Sequence, residues 1–156
     1  MTKEDINEKV AEVVEREWRE ELDKRSTLKL YKENKLHMMQ VNDYNNHPSS
    51  TLWFRARTNC MLLNERNRFR NMEMKCELCG ADREDLMHFI LECQKLNEDR
   101  VKAIELQRPW QQNYEVSVSL FLFRPEDLDR NKRILYEMWN RRNRICKEVS
   151  GDASSN

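Results

Sequence analysis

The sequence predicts a mostly α-helical protein, on two observations. Only two glycines and three prolines occur in 156 residues, too little turn chemistry for a fold of many short strands. The apolar residues, 38% of the chain against 36% charged, recur at spacings of three and four, which gathers them on single helix faces. The length gives room for one domain, or a compact domain with a helical extension, burying roughly two-thirds of the unfolded surface.

Residues 4–24 place Ile6, Val10, Val13, Val14, Trp18 and Leu22 at helical spacing among Glu, Lys and Arg, which predicts a long amphipathic helix. Ser26 or Thr27 is positioned to cap a shorter helix carrying Leu28, Leu30, Tyr31 and Leu36. The run Val41 to Ser49 is rich in turn formers, so a linker is expected between 40 and 50. This divides the chain into an N-terminal amphipathic helical segment, 1–40, a helical domain, 50–149, and a disordered tail, 150–156. After the linker, Ser49 or Ser50 is the expected N-cap of a helix with Leu52, Trp53, Ala56, Cys60, Leu62 and Leu63, running to about Asn64. Residues 65–75 are basic and loosely patterned. A short helix is expected from about Asp85 to Glu92, and another through Leu96, Val101, Ile104 and Leu106 before Pro109. Val116 to Phe123 alternates and then becomes fully apolar; of a strand and a buried helical turn, the turn is favoured. Pro125, at a first helical position before Glu126 and Asp127, opens a final helix carrying Leu128, Ile134, Leu135, Met138, Trp139, Ile145 and Val149.

Chemistry concentrates in Cys76, Cys79, His88 and Cys93, spaced C-x2-C-x8-H-x4-C. Two thiolates two residues apart chelate one zinc from a tight turn, and Gly80 supplies the backbone freedom such turns use. A closed set of four protein ligands marks a structural zinc, since a catalytic zinc keeps a position for water. The fold class is therefore a helical domain with one embedded CCHC zinc knuckle, and the cofactor one structural Zn2+. A zinc-deaminase site is excluded because His88 is followed by Phe89 and Ile90, without the glutamate that serves those enzymes as acid and base. Cys60 and Cys146 are expected to be buried, and His37 and His47 solvated. The chain has no phosphate-cradling glycine loop, nucleophile elbow or His-Glu-x-x-His, so no catalytic residues are assigned and no small-molecule substrate is expected.

Around this cluster the stretches Leu52-Trp53-Phe54-Arg55-Ala56-Arg57-Thr58-Asn59 and Leu62-Leu63-Asn64-Glu65-Arg66-Asn67-Arg68-Phe69, followed by Cys76-x2-Cys79 and Glu84 to Cys93, resemble a known family. They are similar to the zinc-binding region at the C-terminal end of reverse transcriptases from non-LTR (LINE-type, jockey-like) retrotransposons. Trp18, the Leu28-x-Leu-Tyr31 patch, Arg100 and Leu135 to Arg142 extend the likeness over about residues 15 to 147. It implies zinc ligation by Cys76, Cys79, His88 and Cys93, no catalysis, and help in engaging template RNA or target DNA. Nothing here resembles a polymerase, and no Tyr-x-Asp-Asp motif is present. The chain is expected to be a domain of a longer protein, a captured gene or a remnant without a selected function.

The 28 basic and 28 acidic residues cancel, which removes the simplest case for nucleic-acid binding. Their distribution is uneven: residues 26–75 carry nine basic against four acidic side chains, and 131–156 six against three. Arg55, Arg57, Arg66, Arg68, Arg70, Arg141 and Arg142 are the candidate nucleic-acid-binding residues, with Lys75, Lys132, Arg133, Arg144 and Lys147 beside them. Trp53, Phe54, Phe69 and Trp139 interleave with them as candidate stacking faces. RNA or DNA is thus the expected partner. The alternative is a zinc-stapled protein-interaction module whose N-terminal helix meets a protein partner. With no stretch of about 20 apolar residues and a polar, acidic start at Met1 to Asp5, an intracellular protein, nuclear or cytoplasmic and off the membrane, is expected.

Overall fold

A computed structural model describes residues 1–35, 43–107 and 113–153. Among them every regular element is helical and no strand occurs. The chain forms two compact units, Met1–Asn42 and Asp43–Asn156.

In the first unit α1 spans Lys3–Asp23. Thr2 and Asp5 cap it reciprocally: the Asp5 amide donates to the Thr2 hydroxyl (3.2 Å) and the Thr2 amide to the Asp5 carboxylate (2.6 Å). Arg25 turns extended, and a 3-10 turn at Ser26–Leu28 leads into α2, Lys29–Asn34. Arg25, not Ser26 or Thr27, occupies the cap position. Leu36 and His37 lie outside the described residues. Leu22 is buried, but Ile6, Val10, Val13 and Val14 remain 39–57% exposed.

In the second unit α3 spans Pro48–Arg57. Its N-cap is His47 instead of Ser49 or Ser50, because the His47 ring accepts the Ser49 amide and Pro48 sits at the first helical position. The helix ends well before Asn64: the Thr58 hydroxyl takes the Phe54 carbonyl (2.9 Å), and Asn59 adopts a left-handed conformation (φ 54°) that asparagine tolerates. Cys60 consequently leaves the helix and is exposed, contrary to the expected burial, while Cys146 is half-buried.

Val116–Phe123 lies within a helix, α5 (Tyr114–Phe123), capped by the Asn113 side chain. The final helix is a 3-10 turn at Pro125–Asp127 continuing into α6, Leu128–Ala153. It runs through Gly151 and Asp152, where a disordered tail was expected; Ser154 to Asn156 lie outside the described residues. The helix expected through Leu106 is broken into a 3-10 turn at Gln94–Leu96, α4 (Asn97–Arg100) and a second turn at Ile104–Leu106. The break falls at Ala103, fully buried and extended (φ −99°, ψ 116°).

Packing of α3, α5 and α6 makes the core. Trp53 meets Phe121 edge-on (5.9 Å), and Val118, Leu122, Leu135 and Met138 are fully buried beside them. Each such side chain contributes about 1.5–3 kcal/mol by leaving water. Two buried polar side chains fasten the layers: Asn131 donates to the Phe121 carbonyl (3.0 Å), and Arg57 donates to the Leu122 carbonyl (2.8 Å) and the Asp43 carboxylate (3.0 Å). No helix among the described residues is long and apolar enough to cross a membrane.

Candidate metal centre

The centre is built from a tight turn and a short helix. The Gly80 amide donates to the Cys76 carbonyl (2.8 Å), and the Cys76 amide to the Ala81 carbonyl (2.9 Å). Gly80 sits at φ +77°, where a side chain would be strained. This fold of the backbone turns Cys76 and Cys79 toward one point. Opposite, Asp85 accepts the His88 amide (2.8 Å), and His88–Glu92 forms a π-helical turn closed by the Cys93 amide on the His88 carbonyl (2.8 Å). The wide turn places an imidazole and a thiol five residues apart on the same side.

The ligand atoms of Cys76, Cys79, His88 and Cys93 all lie within 4.8 Å of one another. Cys76 and Cys93 Sγ are 3.9 Å apart, and Cys79 Sγ lies 3.3 Å from His88 Nε2. Tetrahedral zinc with Zn–S near 2.3 Å and Zn–N near 2.05 Å requires about 3.8 Å between sulfurs and about 3.6 Å between sulfur and nitrogen. The donor set and spacing therefore fit a single metal ion. A disulfide, with sulfurs about 2.05 Å apart, does not describe Cys76 and Cys93. His88 Nδ1, on the ring's far side, lies 3.5 Å from the Glu92 carboxylate, the arrangement that orients a ligating imidazole and raises its basicity.

Burial, followed by the neighbouring Cys76 charge, pushes the Cys93 thiol up to about 12; burial raises Cys76 as well. Thiols held this way stay protonated unless a cation takes the proton's place.

Two arginines brace the centre from behind. Arg100 donates to the Ile90 (2.7 Å) and Cys93 (2.7 Å) carbonyls, fixing the turn that carries two ligands. Arg142, on α6, makes two 2.6 Å hydrogen bonds to Glu84, whose side chain is 1% exposed. Glu84 also accepts the Asn64 amide (2.9 Å), and its Oε1 lies 4.0 Å from Cys76 Sγ. Phe89 meets Trp139 edge-on over the same region, and Arg142 lies against the Trp139 ring.

These contacts redistribute the candidate nucleic-acid residues. Arg57 and Arg142 are buried and committed to internal acceptors, so neither faces solvent. Arg141 is held by Asp99 (2.6 Å) and Glu98 (3.0 Å), and buried Lys132 donates to the Asp43 carbonyl. Trp53 is fully buried, which removes it as a stacking face. Arg55 is half-buried, while Arg66, Arg68 and Arg70 are exposed on the 3-10 helix Asn64–Arg70. The residues that sequence reasoning missed are Glu84 and Arg142 as a buried pair and Arg100 as a brace. A signal existed for Arg142: it lies seven residues after Leu135 and four after Met138, on the stripe that α6 buries.

Compared with protein-family models, curated proteins and solved structures, the chain gives no match.

Proposed function

We propose that the protein is a non-catalytic module in which one zinc ion staples a helical scaffold that presents a basic surface to RNA or DNA. The observation that carries the zinc reading is the convergence of three sulfurs and one imidazole nitrogen within 4.8 Å. Four protein donors fill a tetrahedron and leave no position for water or substrate. The buried carboxylate behind the centre, Glu84, has its oxygens engaged by Arg142 and the Asn64 amide, so it is spoken for as a proton acceptor.

The nucleic-acid reading rests on the Asn64–Arg70 helix and on its tie to the centre. The Asn64 side chain donates to the Lys75 carbonyl (2.7 Å), one residue before Cys76, and the Glu65 amide to the Glu84 carbonyl (3.0 Å). A metal that orders residues 76–93 thereby orders the arginines. The likeness to the C-terminal region of non-LTR reverse transcriptases agrees with this reading and belongs to the same proposal.

Binding of a fluorescent single-stranded RNA to the zinc-loaded chain at two salt concentrations tests it. Three arginine contacts give a slope of about −2 in log affinity against log salt, or about 20-fold between 50 and 200 mM. Absence of binding to single-stranded RNA and to duplex DNA at low salt would remove the reading. A protein-interaction module is the second reading, favoured by the exposed stripe of Ile6, Val10, Val13 and Val14 on α1; binding that survives high salt is its mark.

A further inference from the structure

The Asn64–Arg70 helix borders a cleft of about 450 Å³, lined by Leu62, Asn64, Arg66, Asn67, Phe69 and Arg70. Phe69 is 80% exposed and Leu62 49%, although folding normally hides a phenyl ring. Arg68 lies over one side of the Phe69 ring, 4.5 Å from its centroid, and is anchored by Glu65 at 3.4 Å. Glu65 is also paired with Arg83. Arg66 and Arg70, by contrast, have no carboxylate partner among the described residues.

The cleft is preformed. Asn71 takes a left-handed conformation (φ 52°), the Met72 amide returns to the Asn67 carbonyl (3.1 Å), and the Asn67 side chain donates to the Glu73 carbonyl (2.8 Å). An exposed aromatic face beside two unneutralised guanidinium groups matches a ligand with a flat apolar ring and an anionic backbone. A purely apolar partner would leave Arg66 and Arg70 unmatched, and an acidic peptide would leave Phe69 unused.

We propose that this cleft seats one unpaired base of a single-stranded nucleic acid, stacked on Phe69, with its flanking phosphates on Arg66 and Arg70. The proposal rests on the nucleic-acid reading above and specifies its subsite. In a duplex both faces of a base are taken by its neighbours in the stack, so single strands are the ligand.

The test uses the zinc-loaded full chain with a 12-nucleotide single-stranded RNA and the blunt duplex of the same sequence. The single strand binds more tightly. Phe69→Ala weakens it about tenfold, within the range for loss of one aromatic stack, and Phe69→Trp restores it. The double variant Arg66→Gln, Arg70→Gln flattens the salt slope by about 1.4, whereas Phe69→Ala leaves the slope unchanged. Because these side chains are exposed, the variants fold as wild type does. Equal or tighter binding of the duplex, or a Phe69→Ala protein that binds the single strand as well as wild type, overturns the base seat while the broader reading stands. If the wild-type chain binds neither nucleic acid at low salt, the broader reading fails and the seat fails with it.

Discussion

The back of the metal centre and the Asn64–Arg70 helix carry the same kinds of residue and use them oppositely. Behind the centre, Arg142 and Arg100 are buried and satisfied by Glu84 and by backbone carbonyls, and Arg142 lies against Trp139, which meets Phe89 edge-on. On the helix, Arg66, Arg70 and Phe69 face solvent. An arginine beside an aromatic residue thus has two physical outcomes, and what decides between them is whether a buried acceptor exists to receive it. The first kind of arginine holds the structure, and the second stays exposed to solvent.

The sharpest way to break this comparison is Arg142→Leu. It strands the Glu84 carboxylate in a site with 1% exposure, and removing one member of a buried pair costs about 3–5 kcal/mol. A urea midpoint that falls accordingly supports the contrast; Glu84→Leu in the same chain should recover part of the loss, because replacing both partners removes the uncompensated charge. An Arg142→Leu protein as stable as wild type would place Arg142 with the solvent-facing group.

Next comes pH. Burial raises the Cys76 and Cys93 thiols, Cys93 to about 12 from an ordinary 9.0. In the metal-free chain the neutral form is the one the fold prefers, so the stability from these thiols is complete below pH 9 and fades as the pH rises toward 12. A bound zinc would reverse the sign, because its ligand would be the thiolate and protons would compete with the metal. The zinc-loaded centre should therefore resist alkali and open on acidification, as read by thermal melts with and without a chelator.

The smallest effect belongs to the exposed side. Arg66→Gln, Arg70→Gln and Phe69→Ala should each change unfolding free energy by less than about 0.5 kcal/mol. A larger loss would mean that these residues support the fold, in the manner of Arg142.

Much of this was legible in the sequence. The mostly helical class and the location of α1, α3 and α6 follow from apolar spacing, and the Cys/His cluster from C-x2-C-x8-H-x4-C, whereas the fully apolar run at Val116–Phe123, read as a buried turn, is a ten-residue helix. The ends of helices were less legible. The extent of α3 depends on the Thr58 side chain and the backbone of Asn59, features that hydrophobic periodicity does not register. The fates of Arg57 and Arg142 depend on acceptors distant in sequence, Leu122 and Glu84, so composition reads both as surface charge. Their position decides otherwise: Arg57 lies four residues after Trp53, and Arg142 four after Met138, so each falls on a buried stripe. The opposite failure occurs on α1, where Ile6, Val10, Val13 and Val14 keep helical spacing yet remain exposed. Periodicity identifies an apolar face but not what covers it.

Metal content by native mass spectrometry, paired with hydrogen exchange on wild type and Cys79→Ser, tests whether a single structural metal holds this region. The expected result is one zinc per wild-type chain, none in Cys79→Ser, and loss of amide protection across residues 76–93 in that variant and in chelated wild type. A metal-free wild-type chain whose protection and melting temperature are unchanged by chelator and by Cys79→Ser would contradict it.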